Sequence, residues 1–344
     1  MTKPLFPQRR TLARWVALAA LGASLLAPFT SHAQIREHKI KMAYVTAADT
    51  GKLNGVDKFV ELIKQKSAGK IDIKVFPGGS LGGDIQTLSS LQGGTVEMSV
   101  IGSNLLVGVA SDFSLLDFPY LFDNEKEASA IIDGPVGKEI FDKLVPKGLV
   151  GMPISAYGFR HLHNSKRPVN KLEDISGLKL RVIQNAIYLD FTKALNANPV
   201  AMSFTEVYNA MEQKAVDGMT NTALIAASMK AGEVQKYMSL TRHMYNQMVL
   251  LISKKTWDRF NDEEKALITQ ASSETLQYQR KRLVEYTDQA LAELRKEKMV
   301  INEVTPAEIA RLRAAVQPVV EKYARDLSPG LMQKTNDTLA ALRK

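Results

Sequence analysis

Cysteine is absent from the 344 residues. With it go disulfides, thiolate metal sites and cysteine nucleophiles. An exported protein needs no disulfide, so this absence does not argue against export. No GxSxG turn occurs, and no pair of acids stands out for acid–base work. The glycine run Gly78-Gly79-Ser80-Leu81-Gly82-Gly83 lacks both the Gly-Lys-Ser/Thr ending of a phosphate loop and the GxGxxG spacing of a dinucleotide turn. Internal repeats, low-complexity tracts and a basic block are missing as well. Of the formal charge of +9, Lys3, Arg9, Arg10 and Arg14 supply +4 from a stretch without acids, and about +5 is interspersed through the rest. That distribution describes a mildly basic solvated surface, not a nucleic-acid interface, and leaves room for attraction to anionic ligands or membrane surfaces.

What is present suits a large core: 45% of residues are apolar and 24% charged. The length exceeds that of a usual single core, so two domains are expected. Residues 1–33 have the pattern of a secretory signal peptide. Lys3, Arg9 and Arg10 precede an apolar run from 15 to about 29, and Ser31-His32-Ala33 puts small residues where cleavage after Ala33 requires them. The run is shorter than the ~20 residues of a stable span. Gln8 and Ala13 fit the twin-arginine pattern poorly, and no cysteine follows to carry a lipid anchor. No later segment reaches membrane-spanning length, so the mature chain is expected to be soluble in the periplasm and not membrane-inserted.

The remainder reads as α/β. Alternation at 39–45, at Ile71, Ile73 and Val75, and at 96–100 predicts three strands. Residues 48–65 have helical apolar spacing, and Asp84 is placed to cap a helix through Leu91. Residues 113–122 (FSLLDFPYLF) read as a buried crossover, 125–144 as helical and 149–156 as a buried strand. Residues 158–164 alternate again, with Arg160 opposite Phe159 and His161. A crossing between domains is expected near Ala156 and Tyr157, with a return near 247–253, where QMVLLIS reads as a strand. Two or three crossing strands make a hinge. Lobe I is then expected over 34–156 and about 247–260, and lobe II over 157–246. Asn261 caps a helix from Asp262 to about Lys298 that contains neither Pro nor Gly. At ~50 Å it is long enough to run along both lobes. Residues 300–304 read as a late strand. Thr305-Pro306-Ala307-Glu308 is a capping box with Pro at the first helical position, and Ser328-Pro329-Gly330 breaks that helix before a terminal one. Residues 299–344 are expected to pack on the lobes.

The stretch 177–221 is the most informative. Leu178, Leu180 and Val182 fall on one face of a strand and Lys179 and Arg181 on the other. A strand that packs its leucines must aim Arg181 at solvent or at a polar cleft. A helical run (186–195), a turn at Asn196-Ala197-Asn198-Pro199 and a second helical run from Ser203 to Val216-Asp217-Gly218 follow. This strand–helix–strand–helix rhythm describes a parallel sheet, whose strand ends line small-ligand sites.

Here the chain resembles the extracytoplasmic solute-binding proteins of tripartite ATP-independent periplasmic (TRAP) transporters, the DctP-type family. GLKLRV and ALNANPVAMSFTEVYNAMEQKAVDGMTN carry the resemblance, with Lys214-Ala215 in place of a usual Gly and Thr220 in place of a usual Glu. YGFRHLHNSKRPV, LLDFPYLF and LISKKTWDRFNDEEKALI extend it over nearly the whole chain. The resemblance implies a two-lobed α/β periplasmic binding-protein fold with hinge-crossing strands and a long domain-spanning helix. It implies no enzymatic activity and no cofactor.

A guanidinium has five donors in a planar fork that matches a carboxylate. By resemblance, Arg181 stands at the family's carboxylate-clamping arginine and Arg160 at its helper. Asn221 stands at the ligand-bonding asparagine and Phe204 at the aromatic that covers the ligand. Structural roles remain open beside these: an ion pair of Arg181 with Glu206, Asp217 or Asp84, core packing for Phe204, and helix capping for Asn221. Tyr44, Ser103 and Asn104 follow as residues at strand ends, then Gln184 and Asp84, the latter also a candidate cap. Gly102 stands where many relatives carry a ligand-contacting acid, which weakens the case for an amine or many hydroxyls being accepted by a carboxylate there. His161 and His163 share a strand face, but no third ligand has sensible spacing, and no metal is expected. The expected function is binding of an organic-acid anion (dicarboxylate, hydroxy or keto acid, or sugar acid) by a monomeric receptor. Lobe closure would hand the acid to membrane permease subunits, with no nucleic acid involved. A sensory periplasmic protein for the same acids and a secreted hydrolase are the alternatives.

Overall fold

The computed structural model describes residues 1–2, 34–50 and 52–344. The apolar run and cleavage site of the expected signal peptide lie outside the described residues. Residues 35–344 form one compact unit. Its strands in chain order are β1 (His38–Ala43), β2 (Ile71–Phe76), β3 (Met98–Gly102), β4 (Leu149–Phe159), β5 (His161–Asn164) and β6 (Lys179–Val182). They continue with β7 (Asn198–Ala201), β8 (Gly218–Asn221), β9 (Tyr237–Leu240), β10 (Tyr245–Ser253) and β11 (Val300–Glu303).

Two sheets result, in the orders β2-β1-β3-β10-β4 and β11-β9-β5-β8-β6-β7. In the first sheet β2, β1 and β3 run parallel, and β10 lies antiparallel between β3 and β4. The parallel part follows from its crossover helices. Val56–Lys66 turns Val56, Phe59, Leu62 and Ile63 inward, and Asp84–Gly93 buries Leu88 and Leu91. A parallel pair needs such a crossover. All nine residues of β10 are buried, as a strand covered on both faces should be.

The second sheet repeats the logic around β6, parallel to both β7 and β8. Its edge strand β7 begins at Asn198, inside the segment read as a turn, and contains Pro199. A proline signals a turn in sequence, yet at a sheet edge its missing N–H costs no ladder bond. The helical run from Ser203 is a 3-10 turn, Phe204–Glu206, followed by the short helix Val207–Glu212. Asp84 is the first helical residue, with Gly83 in the cap position ahead of it.

The chain passes between the sheets three times, twice at a joint and once, from β10 to β11, through the helix Asp262–Lys296. Arg160 alone separates β4 from β5, and residues 241–244 join β9 to β10. The two passages pair with one another: the Arg160 N–H donates to the Met244 carbonyl at 2.8 Å, and the His243 N–H to the Arg160 carbonyl at 3.2 Å. Just before the joint, Gly158 has φ +77°, a left-handed conformation that a side chain would strain.

The helix Asp262–Lys296 spans 35 residues, ~52 Å at 1.5 Å per residue. Asn261 caps it, accepting from the Glu264 N–H at 2.9 Å while its own N–H donates to Glu264 Oε2 at 2.8 Å. It packs on β4 and on the helix Val56–Lys66, and farther along on Ala223–Ser228 beside the second sheet. Pro306–Ala324, capped by Thr305, and Leu331–Leu342 complete the fold.

Candidate functional site

A cleft with about 650 Å³ of empty space, partly open to solvent, lies between the two sheets. Strand ends from both lobes reach it: Tyr44 follows β1, Gly102 closes β3, Arg181 lies on β6, and Asn221 ends β8. Convergence of parallel strand ends is what makes this crevice.

Alternation along β6 sends Leu180 into the core and Arg181 into the cleft, where the arginine is 3% exposed. Its Nε and Nη2 both donate to the Met202 carbonyl, at 3.2 and 2.9 Å. That edge of the guanidinium is therefore occupied, and Nη1 makes no protein hydrogen bond. Arg160, 2% exposed, rests on the Tyr188 ring with its guanidinium carbon 5.3 Å from the centroid. Its Nη1 donates to Asn246 Oδ1 at 2.8 Å and to Asn221 Oδ1 at 3.4 Å, and its Nη2 donates to the Thr220 carbonyl. Only Nε is left without a partner.

Neither guanidinium has a carboxylate oxygen within 4.0 Å among the described residues. Glu206, Asp217 and Asp84 therefore do not form the ion pair with Arg181 that the sequence left open. Burial lowers the pKa of Arg181 to about 9, the neighbouring Arg160 pushes the same way, and Asp84 opposes them. Burial also lowers that of Arg160, with Tyr188 and Asp117 opposing.

Asn221 is 4% exposed; its Oδ1 accepts from the Thr222 N–H at 2.9 Å. Thr222, not Asn221, caps the next helix. Phe204 is half-buried: it lines the cleft wall and also packs against the edge of the core. Tyr44 and Asn104 are buried in the wall, Gln184 is exposed there, and Asp84 is half-buried. Burial lifts Tyr44 to about 12 and Asp84 to about 7, although Arg181 pulls Asp84 down.

Ser103 is the candidate that the structure leaves apart. It opens a 3-10 turn, is 1% exposed, and lies outside the cleft wall that its neighbours Gly102 and Asn104 line. Among the wall residues not singled out from sequence are two amides, Asn54 and Asn246. Asn246 Oδ1 accepts from both Arg160 Nη1 and, at 3.2 Å, Asn104 Nδ2. A polar residue just ahead of the apolar run QMVLLIS was its only signal.

His161, His163 and His243 are buried behind Arg160. His163 Nε2 donates to the Asn221 carbonyl at 3.0 Å, and His243 stacks on Phe191 with centroids 4.9 Å apart. Burial lowers His163 to about 4 and the other two well below the usual imidazole range. Among the described residues no group of three or more His, Asp or Glu is placed to hold a metal ion. No helix among them is long and apolar enough to cross a membrane.

Residues 42–326 match the family model described as bacterial extracellular solute-binding protein, family 7. The 2,3-diketo-L-gulonate-binding periplasmic protein YiaO of Escherichia coli K12 is 32% identical over 272 residues, 79% of this chain and 82% of that one. A TRAP periplasmic solute-binding protein of Ochrobactrum anthropi, solved with its C-terminus bound in the ligand-binding pocket, is 43% identical with a TM-score of 0.80, over 90% of this chain and 97% of that one. The sugar acid binding protein DctPAm of Advenella mimigardefordensis, solved with galactonate, is 36% identical with a TM-score of 0.85, over 88% of this chain and 98% of that one. With this match across both lobes and the cleft, the chain belongs to the family-7 bacterial extracellular solute-binding proteins, the DctP family of non-enzymatic periplasmic ligand receptors.

Proposed function

We propose that this chain is the solute receptor of a TRAP transporter and binds an organic-acid anion by pairing its carboxylate with Arg181 and Arg160. One observation carries the reading. Two guanidinium groups, 3% and 2% exposed, face the same cleft with no carboxylate within 4.0 Å among the described residues. Buried charges without partners are costly, so an anion from outside is the natural complement. The Nε–Nη2 edge of Arg181 is held by Met202, which leaves its Nη1–Nη2 end for the ligand, and Arg160 Nε is the other unpartnered guanidinium donor in the cleft wall. The Asn221 amide nitrogen makes no protein hydrogen bond and holds a further oxygen, and Phe204 covers the ligand. Tyr44, Asn104, Gln184 and Asp84 complete the contact surface. Ligands named for the relatives, 2,3-diketo-L-gulonate and galactonate, are acids of this kind.

Both lobes contribute polar groups, so the acid favours the closed form through its higher affinity for it. The moving bodies are lobe I (34–156 with about 247–260) and lobe II (157–246), tied by the long helix. The closed receptor, monomeric and freed of its signal peptide after Ala33, docks on ion-driven permease subunits. A thermal-shift screen of acidic metabolites against neutral sugars tests the binding step, because ligand linkage raises Tm. Acids should shift Tm in the wild type and leave Arg181→Ala unchanged. A screen in which only neutral sugars score, or in which acids stabilise both proteins equally, overturns the proposal.

A further inference from the structure

The cleft wall contributed by the first sheet carries polar groups that carboxylate pairing does not use. Asn54 is 1% exposed, and its Oδ1 accepts from the Val56 N–H at 3.0 Å. Its Nδ2 is buried in that wall without any partner. Thr46 lies in the same wall, but its hydroxyl proton goes to Thr50 Oγ1 at 2.6 Å, because Thr50 donates its own to the Ala47 carbonyl at 2.6 Å. Asp84 also lines the cleft, with no lysine or arginine nitrogen within 4.0 Å among the described residues. This wall therefore offers an amide donor and an acidic acceptor. A hydroxyl both donates and accepts, whereas an ionised carboxylate only accepts.

The positive side is already allotted. Both terminal nitrogens of Arg160 donate to protein oxygens, and one edge of Arg181 is taken by Met202. What remains is Arg160 Nε and the free end of Arg181, enough for the two oxygens of one carboxylate. Two arginines and one aspartate are the charged groups of the wall, so its net charge is that of one cation. A second carboxylate on the ligand would find no free guanidinium and would face Asp84.

Resting on the carboxylate pairing proposed above, we infer that the cleft is built for a monocarboxylate bearing several hydroxyls. Asp84 accepts from those hydroxyls, Asn54 donates to them, and dicarboxylates are discriminated against. Burial raises the Asp84 carboxyl to about 7. Above that pH it repels a second carboxylate, and below it the repulsion fades, so discrimination should relax as pH falls.

Calorimetric titration of the purified protein with six-carbon aldonates and uronates, and with succinate and fumarate, at pH 8 and pH 6, tests this. At pH 8 at least one hydroxylated monocarboxylate should bind about tenfold or more tighter than either dicarboxylate, with a smaller ratio at pH 6. Asp84→Asn should weaken the hydroxylated acid, strengthen succinate and collapse the ratio. Asn54→Ala should weaken the hydroxylated acid alone, and circular dichroism checks that both variants fold. Dicarboxylates binding as tightly as the hydroxylated acids at pH 8, or a ratio indifferent to Asp84→Asn, overturns the inference. If acids bind and Arg181→Ala abolishes that binding, the failure is confined to this inference. If no acid of the panel binds, the carboxylate pairing falls and this inference with it.

Discussion

Replacing Arg181 by methionine should destroy acid binding and at the same time stabilise the ligand-free protein. The guanidinium is 3% exposed, and burial first and Arg160 second lower its pKa from the ordinary arginine value to about 9. The group stays cationic near pH 7 in both folded and unfolded chains. Because its folded pKa lies below the unfolded one, the charge opposes folding at every pH below about 9. A difference of about 3.5 in pKa corresponds to ~5 kcal/mol, an upper bound. Methionine retains most of the apolar stem but loses the two bonds to the Met202 carbonyl, worth ~1 kcal/mol each. The net gain expected is then ~1–3 kcal/mol, which at roughly 2–4 °C per kcal/mol is a rise in Tm of several degrees. Scanning calorimetry without ligand and titration calorimetry with an acid that stabilises the wild type supply the two readouts. A Tm several degrees below wild type would show that protein dipoles already neutralise this cation. Retained binding would show that the acid does not use it.

Three further outcomes follow from the same chemistry. Burial alone would raise Glu264, but hydrogen bonds from Arg36 and Asn261 hold it down to about 2, so its contribution is present above pH ~4.5 and lost as pH falls toward 2. Glu264→Gln should cost ~2–4 kcal/mol at pH 7 and flatten the acid limb between those values, read as urea midpoints at pH 7 and 3. The neutral histidines 161, 163 and 243 refuse protons that the unfolded chain accepts below pH ~6.5. Stability should therefore fall from pH 6.5 toward 4, by up to ~1.4 kcal/mol per pH unit for each histidine; a flat urea midpoint over that range contradicts it. Gly79 has φ +70°, and a Cβ there would lie 3.0 Å from the Thr205 methyl across the cleft mouth. Gly79→Val should weaken ligand binding about tenfold through ~1–2 kcal/mol of strain and a propped-open lip. Unchanged affinity by calorimetry would show that this contact plays no part in closure.

Much of this arrangement was legible because it is local. Alternation located β1, β2 and β6, and the caps at Asn261 and Thr305 work within one helical turn, so adjacent residues announce them. Alternation also limited Arg181 to solvent or a cleft, and only the second sheet packed against the first decides between the two. The amides were silent for the opposite reason. Asn246 meets Asn104 from 142 residues away and Arg160 from 86. Asn54 has the look of a turn residue before a helix, and nothing nearby in sequence reveals that half of its amide has no partner. Pro199 misled because a local signal for a turn is silent on whether the strand sits at an edge.

In the closure proposed above, hinge and site share a residue, and that determines which parts of the molecule would move. Arg160 contributes its backbone to the paired crossing segments and its guanidinium to the cleft, reaching Asn246 on β10 of the first sheet and Asn221 on β8 of the second. Close to it, the lobes are joined by buried bonds: Asn185 Nδ2 donates to the Asn104 carbonyl at 2.7 Å and to Asp117 at 3.1 Å, and the Tyr188 hydroxyl donates to the other oxygen of Asp117. Breaking these would leave a carboxylate that is 0% exposed short of donors. At the far lip, where Gly79 lies near Thr205 and Gly83 near Ser203, no hydrogen bond joins the two sides among the described residues. Opening should therefore swing the lip and spare the joint. An acid held at Arg160, as proposed, would sit near the pivot, and its far end would report on whether the lip has closed.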